Sequence, residues 1–252
     1  MNDLSNFNQS EANVDAEELS KFAELASQWW DPNGEFKSLH DINPLRVDFI
    51  EEQADGLFGK SLIDIGCGGG ILSEALAQKG AKVVGIDMVE ASLDVARLHR
   101  LESGVDVEYA LSTAENYADN NAGQFDVVCC LEMLEHVPSP ASIVDAAAKL
   151  AKPGGLLVFS TLNRNPKSWL LAIAAAEYLF GMVPKGTHDH KKFIKPNELV
   201  SMIENANLVV SDMTGLHFNP ITQQYFLSNN NVDVNYFVVC RKPMLNCAVN
   251  NP

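Results

Sequence analysis

Four glycines fall within five positions, Gly66, Gly68, Gly69 and Gly70, directly after the apolar residues Leu62, Ile63 and Ile65. A short apolar run that ends in clustered glycines predicts a buried parallel strand, a tight turn and a helix over about Ile71 to Lys79. Residues without a Cβ let the backbone turn sharply and let a ligand approach closely. The helix would aim its first N–H groups at that ligand. An ordinary strand–helix connection would use the same residues. A dinucleotide fingerprint G-x-G-x-x-G begun at Gly66 would need its third glycine at the position of Ile71. The spacing is instead G-x-G-x-G, with Asp64 two residues ahead of it.

The rest of the chain repeats strand and helix. Lys82 to Ile86 reads as a second strand and ends at Asp87, 21 residues after Gly66. An acidic group there can accept from both ribose hydroxyls of a nucleoside lying across the strand ends. The bland alternative is a cap for a helix over Ala91 to Glu102. Further strands are expected at Asp106 to Leu111, Phe125 to Leu131, Leu156 to Thr161, Asn207 to Asp212 and Asp233 to Arg241. Helices are expected at Ser139 to Ala151 and Pro196 to Asn205. Ser112 to Glu115 falls at the same sheet edge, where an adenine ring would lie. This alternation predicts a doubly wound α/β sheet. Polar groups after Leu131 would then face the same crevice as Gly66 and Asp87.

At 252 residues the chain accommodates one α/β domain, assigned to 15–242, with appendages at 1–14 and 243–252 that read as disordered. A net charge of −15 excludes a broad nucleic-acid surface. The five cysteines form no C-x-x-C pair and read as reduced thiols of a cytoplasmic protein. The N-terminus shows no secretory pattern. Two helices precede the glycine turn, Asp15 to Trp30 and Leu39 to Gln53 within residues 15–55. They are expected to pack on it as a lid, with Arg46 offering a fork to a carboxylate.

Residues 162–195 read as an insertion. Ser168 to Val183 is apolar almost all round, but as a helix it would span only about 24 Å, short of a bilayer core. Lys152 to Lys195 holds seven Lys or Arg against Glu177 and Asp189. In so acidic a chain this segment, chiefly 164–195, suggests docking on an anionic membrane surface. A buried helix that covers the site is the equal alternative. His188-Asp189-His190 could chelate a metal, but a polar loop explains it as well.

Asp64-x-Gly66-x-Gly68-x-Gly70, Asp87, and Lys152-Pro153-Gly154-Gly155 before strand five together resemble class I S-adenosylmethionine-dependent methyltransferases. Further stretches are similar to the ubiquinone-biosynthesis O-methyltransferases. These are Trp29-Trp30-Asp31, Ile42-Asn43-Pro44-Leu45-Arg46, Glu132-Met133-Leu134-Glu135-His136-Val137, Ser160 to Asn165, Pro184 to His188, and Gly215-Leu216-His217 with Asn219-Pro220. The similarity runs from about Val14 to Lys242.

The resemblance implies a Rossmann-like seven-stranded sheet with N-terminal lid helices and a helical insertion after strand five. It implies S-adenosyl-L-methionine as cofactor, held by Arg46, Gly66, Asp87 and Leu131, with Gly68 in the same loop. The implied substrates are polyprenylated phenols and quinols, 2-polyprenyl-6-hydroxyphenol and 3-demethylubiquinol. Other enzymes of that pathway are candidate partners, and the inner face of the membrane a candidate peripheral location.

A phenol is mostly protonated at neutral pH, so its methylation needs a base or a metal. Glu132, Glu135 and His136 have i, i+3, i+4 spacing, which on a helical turn places them on one face. Such a set could hold Mg²⁺, a role that the resemblance supports. Alternatively, Glu135 caps a turn and His136 acts alone as general base. A methyltransferase for another phenol, amine or carbon acceptor is the second reading of function. A binding module that has lost its chemistry would not need these three residues.

Overall fold

The computed structural model describes residues 13–168 and 190–244. Most of the expected N-terminal disorder, the apolar stretch after Ser168, His188, Asp189 and the end of the C-terminal tail lie outside the described residues. Eight described strands form one sheet in the order β3-β2-β1-β4-β5-β8-β6-β7. They are β1 (Ser61–Ile65), β2 (Lys82–Asp87), β3 (Val107–Leu111), β4 (Phe125–Leu131), β5 (Ala151–Leu162), β6 (Val209–Asn219), β7 (Gln224–Ser228) and β8 (Asn235–Arg241). β1 to β5 pair in parallel, β8 is antiparallel between β5 and β6, and β7 closes a hairpin on β6. Strand order reverses between β1 and β4, and the crevice beyond their carboxyl ends is where open α/β sheets take ligands.

The sheet is buried on both faces because successive side chains alternate. Ile63 and Ile65 pack on one face, together with α6 (Pro140–Leu150) and α8 (Pro196–Asn205). Leu62 points to the other, against α2 (Lys37–Gln53), α3 (Ile71–Gln78) and α4 (Glu90–Ser103). The remaining described α-helices are α1 (Ala16–Leu25), α5 (Ala114–Asn120) and a single turn, α7 (Pro166–Ser168). Cys67, Cys129 and Cys130 are buried free thiols, as expected, and so is Cys240 on β8.

The structure corrects the expected sheet in three places. It has eight described strands where seven were expected, because β6 runs on to Asn219 and folds back as β7. Gln223, Gln224 and the Asn229–Asn231 run carry no strand signature, and β7 is an edge strand with only one pairing partner. β5 starts at Ala151, not Leu156, because Lys152-Pro153-Gly154-Gly155 lies within the strand as an irregularity opposite Phe125 and Val127. Gly154 has φ +79°, which suits a bulge residue without a side chain. The third is α5, for which no helix was expected; Thr113 caps it through its hydroxyl, which accepts from Asn116 N.

The N-terminal helices form the expected lid. α1 begins at Asp15, whose carboxylate accepts from the N–H groups of Glu17 and Glu18. After α1 and a short 3₁₀ turn, the chain delivers two tryptophans to the glycine turn. A Cβ on Gly68 would lie 2.4 Å from the Trp29 ring, and one on Gly69 2.3 Å from it. Trp29 Nε1 donates to Ser92 Oγ (3.0 Å) and Trp30 Nε1 to Gly69 O (2.9 Å). Phe36 stacks on Trp29 and His99 on Trp30, and Asn43 Nδ2 donates to Ile71 O. The glycines therefore serve the lid as well as any ligand.

Gly69→Ala should displace Trp29 and cost about 1–3 kcal/mol of stability, the range for overpacking a filled site. Urea unfolding of Gly69→Ala, Trp29→Ala and the double variant tests this. The double variant should lose less than the sum of the two single losses.

Candidate active site

One cavity of about 670 Å³ opens at the carboxyl ends of β1, β2 and β4 and runs under the lid toward the β6–β7 hairpin. At one end it is lined by Gly66, Gly68, Asp87, Met88 and Ser112 to Glu115. Asp87 closes β2. Its Oδ2 accepts from Gly68 N (2.9 Å) and its Oδ1 from Val89 N (2.8 Å). These bonds fix the carboxylate against the glycine turn, while burial raises its pKa above the ordinary value. Each oxygen has a second lone pair for a ligand hydroxyl. The expected ribose-type subsite, the glycine turn and the Ser112–Glu115 edge thus share one wall.

Arg46 reaches the middle of the cavity from α2 and is 5% exposed. Its Nε and Nη2 are buried without a hydrogen-bond partner, and Glu132 Oε1 is 3.8 Å from Nη2. Burial lowers the pKa of the guanidinium, against the charges of Glu132, Asp64 and Glu135. Unmade hydrogen bonds on a buried cation are costly, so the side chain is suited to a ligand carboxylate. Asp64 is buried nearby and accepts from Ser73 Oγ (2.6 Å); burial pushes its pKa up to about 6. Leu131 supplies an apolar contact at the end of β4.

Glu132, Glu135 and His136 do not lie along one helical turn. β4 ends at Leu131, and Glu132 takes φ +53°, in the left-handed region, before a 3₁₀ turn over Leu134–His136. Glu132 N still donates to Ser160 O in the manner of the sheet. Its side chain faces β5 and β8, where Oε1 accepts from Ser160 Oγ (2.5 Å) and Oε2 from Asn235 Nδ2 (3.0 Å). Glu135 is buried, with Oε2 accepting from Thr161 Oγ1 (2.7 Å) and Oε1 without a partner. Burial first, and then the charge of Glu132, push its pKa up to about 7. His136 Nδ1 bonds Glu18 Oε2 at 2.9 Å, and Phe22 meets the ring edge-on. With the three side chains turned to separate partners, no group of three His, Cys, Asp or Glu among the described residues is placed to hold a metal ion.

Sequence reading did not find Glu18. It lies on α1, 118 positions from His136, and only the folded lid joins them. Its Oε1 also accepts from Lys192 Nζ (3.1 Å), which in turn reaches Asp15 (2.8 Å). The His136 hydrogen bond, helped by Lys192 against burial, holds Glu18 down to about 2. Burial pulls His136 down, but the Glu18 bond and the charges of Glu135, Glu18 and Glu132 leave it above its ordinary value. Asn13 extends the seam: its Nδ2 donates to Glu115 Oε1 and Ser139 O, and its Oδ1 accepts from Ser139 N.

The profile of a family described as a methyltransferase domain matches residues 45–212. The ubiquinone biosynthesis O-methyltransferase of Idiomarina loihiensis is 58% identical over 231 residues, 92% of this chain and 95% of that protein. That of Escherichia coli O7:K1 is 59% identical over 226 residues, 90% and 94% of the two chains. The chain belongs to the ubiquinone biosynthesis O-methyltransferase family. Among solved structures, the magnesium protoporphyrin IX methyltransferase of Synechocystis, with bound SAH, superposes with a TM-score of 0.63 at 18% identity, covering 88% of this chain and 94% of that one. That likeness shows the shared fold. As a family member this chain is an S-adenosylmethionine-dependent O-methyltransferase.

The Glu18–His136 pair has a pH signature. Glu18 has a lowered pKa, so its contribution is present above about pH 4.5 and lost as pH falls toward about 2. His136 has a raised pKa, so its contribution is present below about pH 6.5 and lost as pH rises through the folded value. Glu18→Gln should therefore cost about 1.5–3 kcal/mol of unfolding free energy at about pH 5–6, the range for a bond to a charged group, and clearly less at about pH 9. Urea titrations at the two pH values check this, and equal losses would contradict it.

Proposed function

We propose that this enzyme methylates a phenolic hydroxyl of polyprenylated catechol-type acceptors, 2-polyprenyl-6-hydroxyphenol and 3-demethylubiquinol. The observation that carries the reading is the continuity of the cavity. It joins the Gly66–Asp87 end, past Arg46 in the middle, to an acceptor end bearing Glu132, His136, Tyr225 and Asn235. S-adenosylmethionine would lie along the first end, with its carboxylate at Arg46, its ribose at Asp87, and Gly66, Gly68 and Leu131 against its body. Its methyl group would then face the β4 end. His136, oriented through Nδ1 by Glu18, takes the phenolic proton. The phenolate oxygen attacks the methyl carbon in line with the S–C bond, and the bonding pair passes to sulfur. The products are the methyl ether and S-adenosylhomocysteine. Positioning by the closed lid supplies much of the rate, and general-base catalysis contributes about 10²–10⁴.

The expected divalent ion, Mg²⁺ for hard oxygen donors, has one observation in its favour, Glu135 Oε1 buried without a partner, and the base mechanism above does not require it. The three expected ligands, Glu132, Glu135 and His136, would have to leave Ser160, Thr161 and Glu18 to hold it, and Glu135 is not among the residues that line the cavity. When bound, the ion would supply positive charge that favours a phenolate.

The proposed docking of 164–195 on an anionic membrane surface has gained less support. Arg164 pairs with Glu198, Lys167 with Asp233 (2.6 Å), and Lys192 with Asp15 and Glu18. These cations are already committed within the chain, so the apolar stretch would carry more of the docking than charge. No described helix is long and apolar enough to cross a membrane. Association with other enzymes of the pathway would be read from co-purification.

With a short-prenyl catechol and S-adenosylmethionine, the purified enzyme should add one methyl group by mass. His136→Gln should lower kcat by about 10²-fold or more while cofactor binding persists by calorimetry. Full activity in chelator would remove the ion from the proposal. In liposome flotation, binding should survive added salt, and an interaction abolished by salt would restore the electrostatic account.

A further inference from the structure

We propose that Asn235 is a specificity-determining residue for the acceptor, its amide oxygen receiving the hydroxyl next to the one that is methylated. This rests on the catechol reading above and deepens it.

Asn235 opens β8, and its register neighbours are Leu162 on β5 and Leu216 on β6. All three line the cavity, so the amide sits between two leucines on that wall, with Glu132 beside it. Its orientation is set by chemistry. Nδ2 donates to Glu132 Oε2 at 3.0 Å, and the reverse orientation would set an amide oxygen against a carboxylate. Ser160 Oγ donates to the other oxygen of Glu132, with Arg46 beyond it, so the carboxylate is held in place. That leaves Oδ1 without a hydrogen-bond partner and shielded at the cavity wall, so a ligand hydroxyl reaches it by a small shift of the amide toward the cavity. A buried acceptor left unpaired is costly, and a ligand donor removes that cost.

A catechol brings two adjacent hydroxyls to this end of the cavity. One must face His136 and the methyl donor. The second can donate to Asn235 Oδ1, which fixes the rotation of the ring about its prenyl axis. A monophenol would leave Oδ1 unpaired. Sites built around a substrate hydroxyl reject analogues that lack it more strongly than apolar pockets reject a missing methylene.

The test is calorimetric binding of a short-prenyl catechol and the matching monophenol, with S-adenosylhomocysteine and Mg²⁺ present throughout. The unaltered enzyme should prefer the catechol by about tenfold or more. Asn235→Leu, close in size, and Asn235→Ala should bind the two compounds within about twofold of each other. Affinity for S-adenosylhomocysteine, measured first, shows whether each variant has kept its fold. A full preference for catechol in a variant that still binds S-adenosylhomocysteine would overturn the role of Asn235 and leave the catechol reading standing. Failure of the unaltered enzyme to bind or methylate the catechol would overturn that reading, and this inference with it.

Discussion

Trp29 occupies the space that side chains on Gly68 and Gly69 would fill, and the site depends on that contact. A turn with Cβ atoms at these positions would lift the indole by more than its packing could tolerate. The lid would then lose its seat, and with it the hydrogen bonds to Ser92 and Gly69. Because α2 follows directly, the same seating places Arg46 in the middle of the cavity. α1, on the other side, carries Glu18 to His136. The glycine turn and the β4 end of the cavity are thus joined through the lid that this one aromatic ring seats.

A second constraint is charge. Arg46, Asp64 and Glu135 are all buried, with Glu132 close by. Buried charges persist only when paired or hydrogen-bonded, and here the pairing is incomplete. Ser73, Ser160, Thr161 and Asn235 satisfy part of the carboxylate set, while Arg46 and Glu135 Oε1 keep unmet capacity. Folding has left unmet polar demand at the carboxyl end of the sheet, beside the cavity. This is the arrangement expected of a site whose electrostatics are completed by substrate and cofactor.

Much of this was legible in the chain. The parallel strands announced themselves as apolar runs because both sheet faces are covered, and the glycine turn marked the switch point. Asp87 and the residues that follow Leu131 line one cavity, as the strand-end argument expected. β7 was missed because its apolar run, Tyr225 to Leu227, is only three residues long and is flanked by Gln and Asn residues. The spacing of Glu132, Glu135 and His136 suggested a helical face. One left-handed residue at the end of β4 broke that geometry, and spacing alone cannot see a backbone dihedral.

Sequence by itself determined the class of fold, the glycine turn and the family, since these are carried by local patterns and contiguous motifs. Only the tertiary structure decided which groups meet. Glu18 faces His136, Asn235 faces Glu132, and Trp29 covers the glycines across separations of 118, 103 and 39 or more positions. Such contacts leave no periodic trace, because they arise from how a lid helix and a C-terminal strand are brought to one end of the sheet.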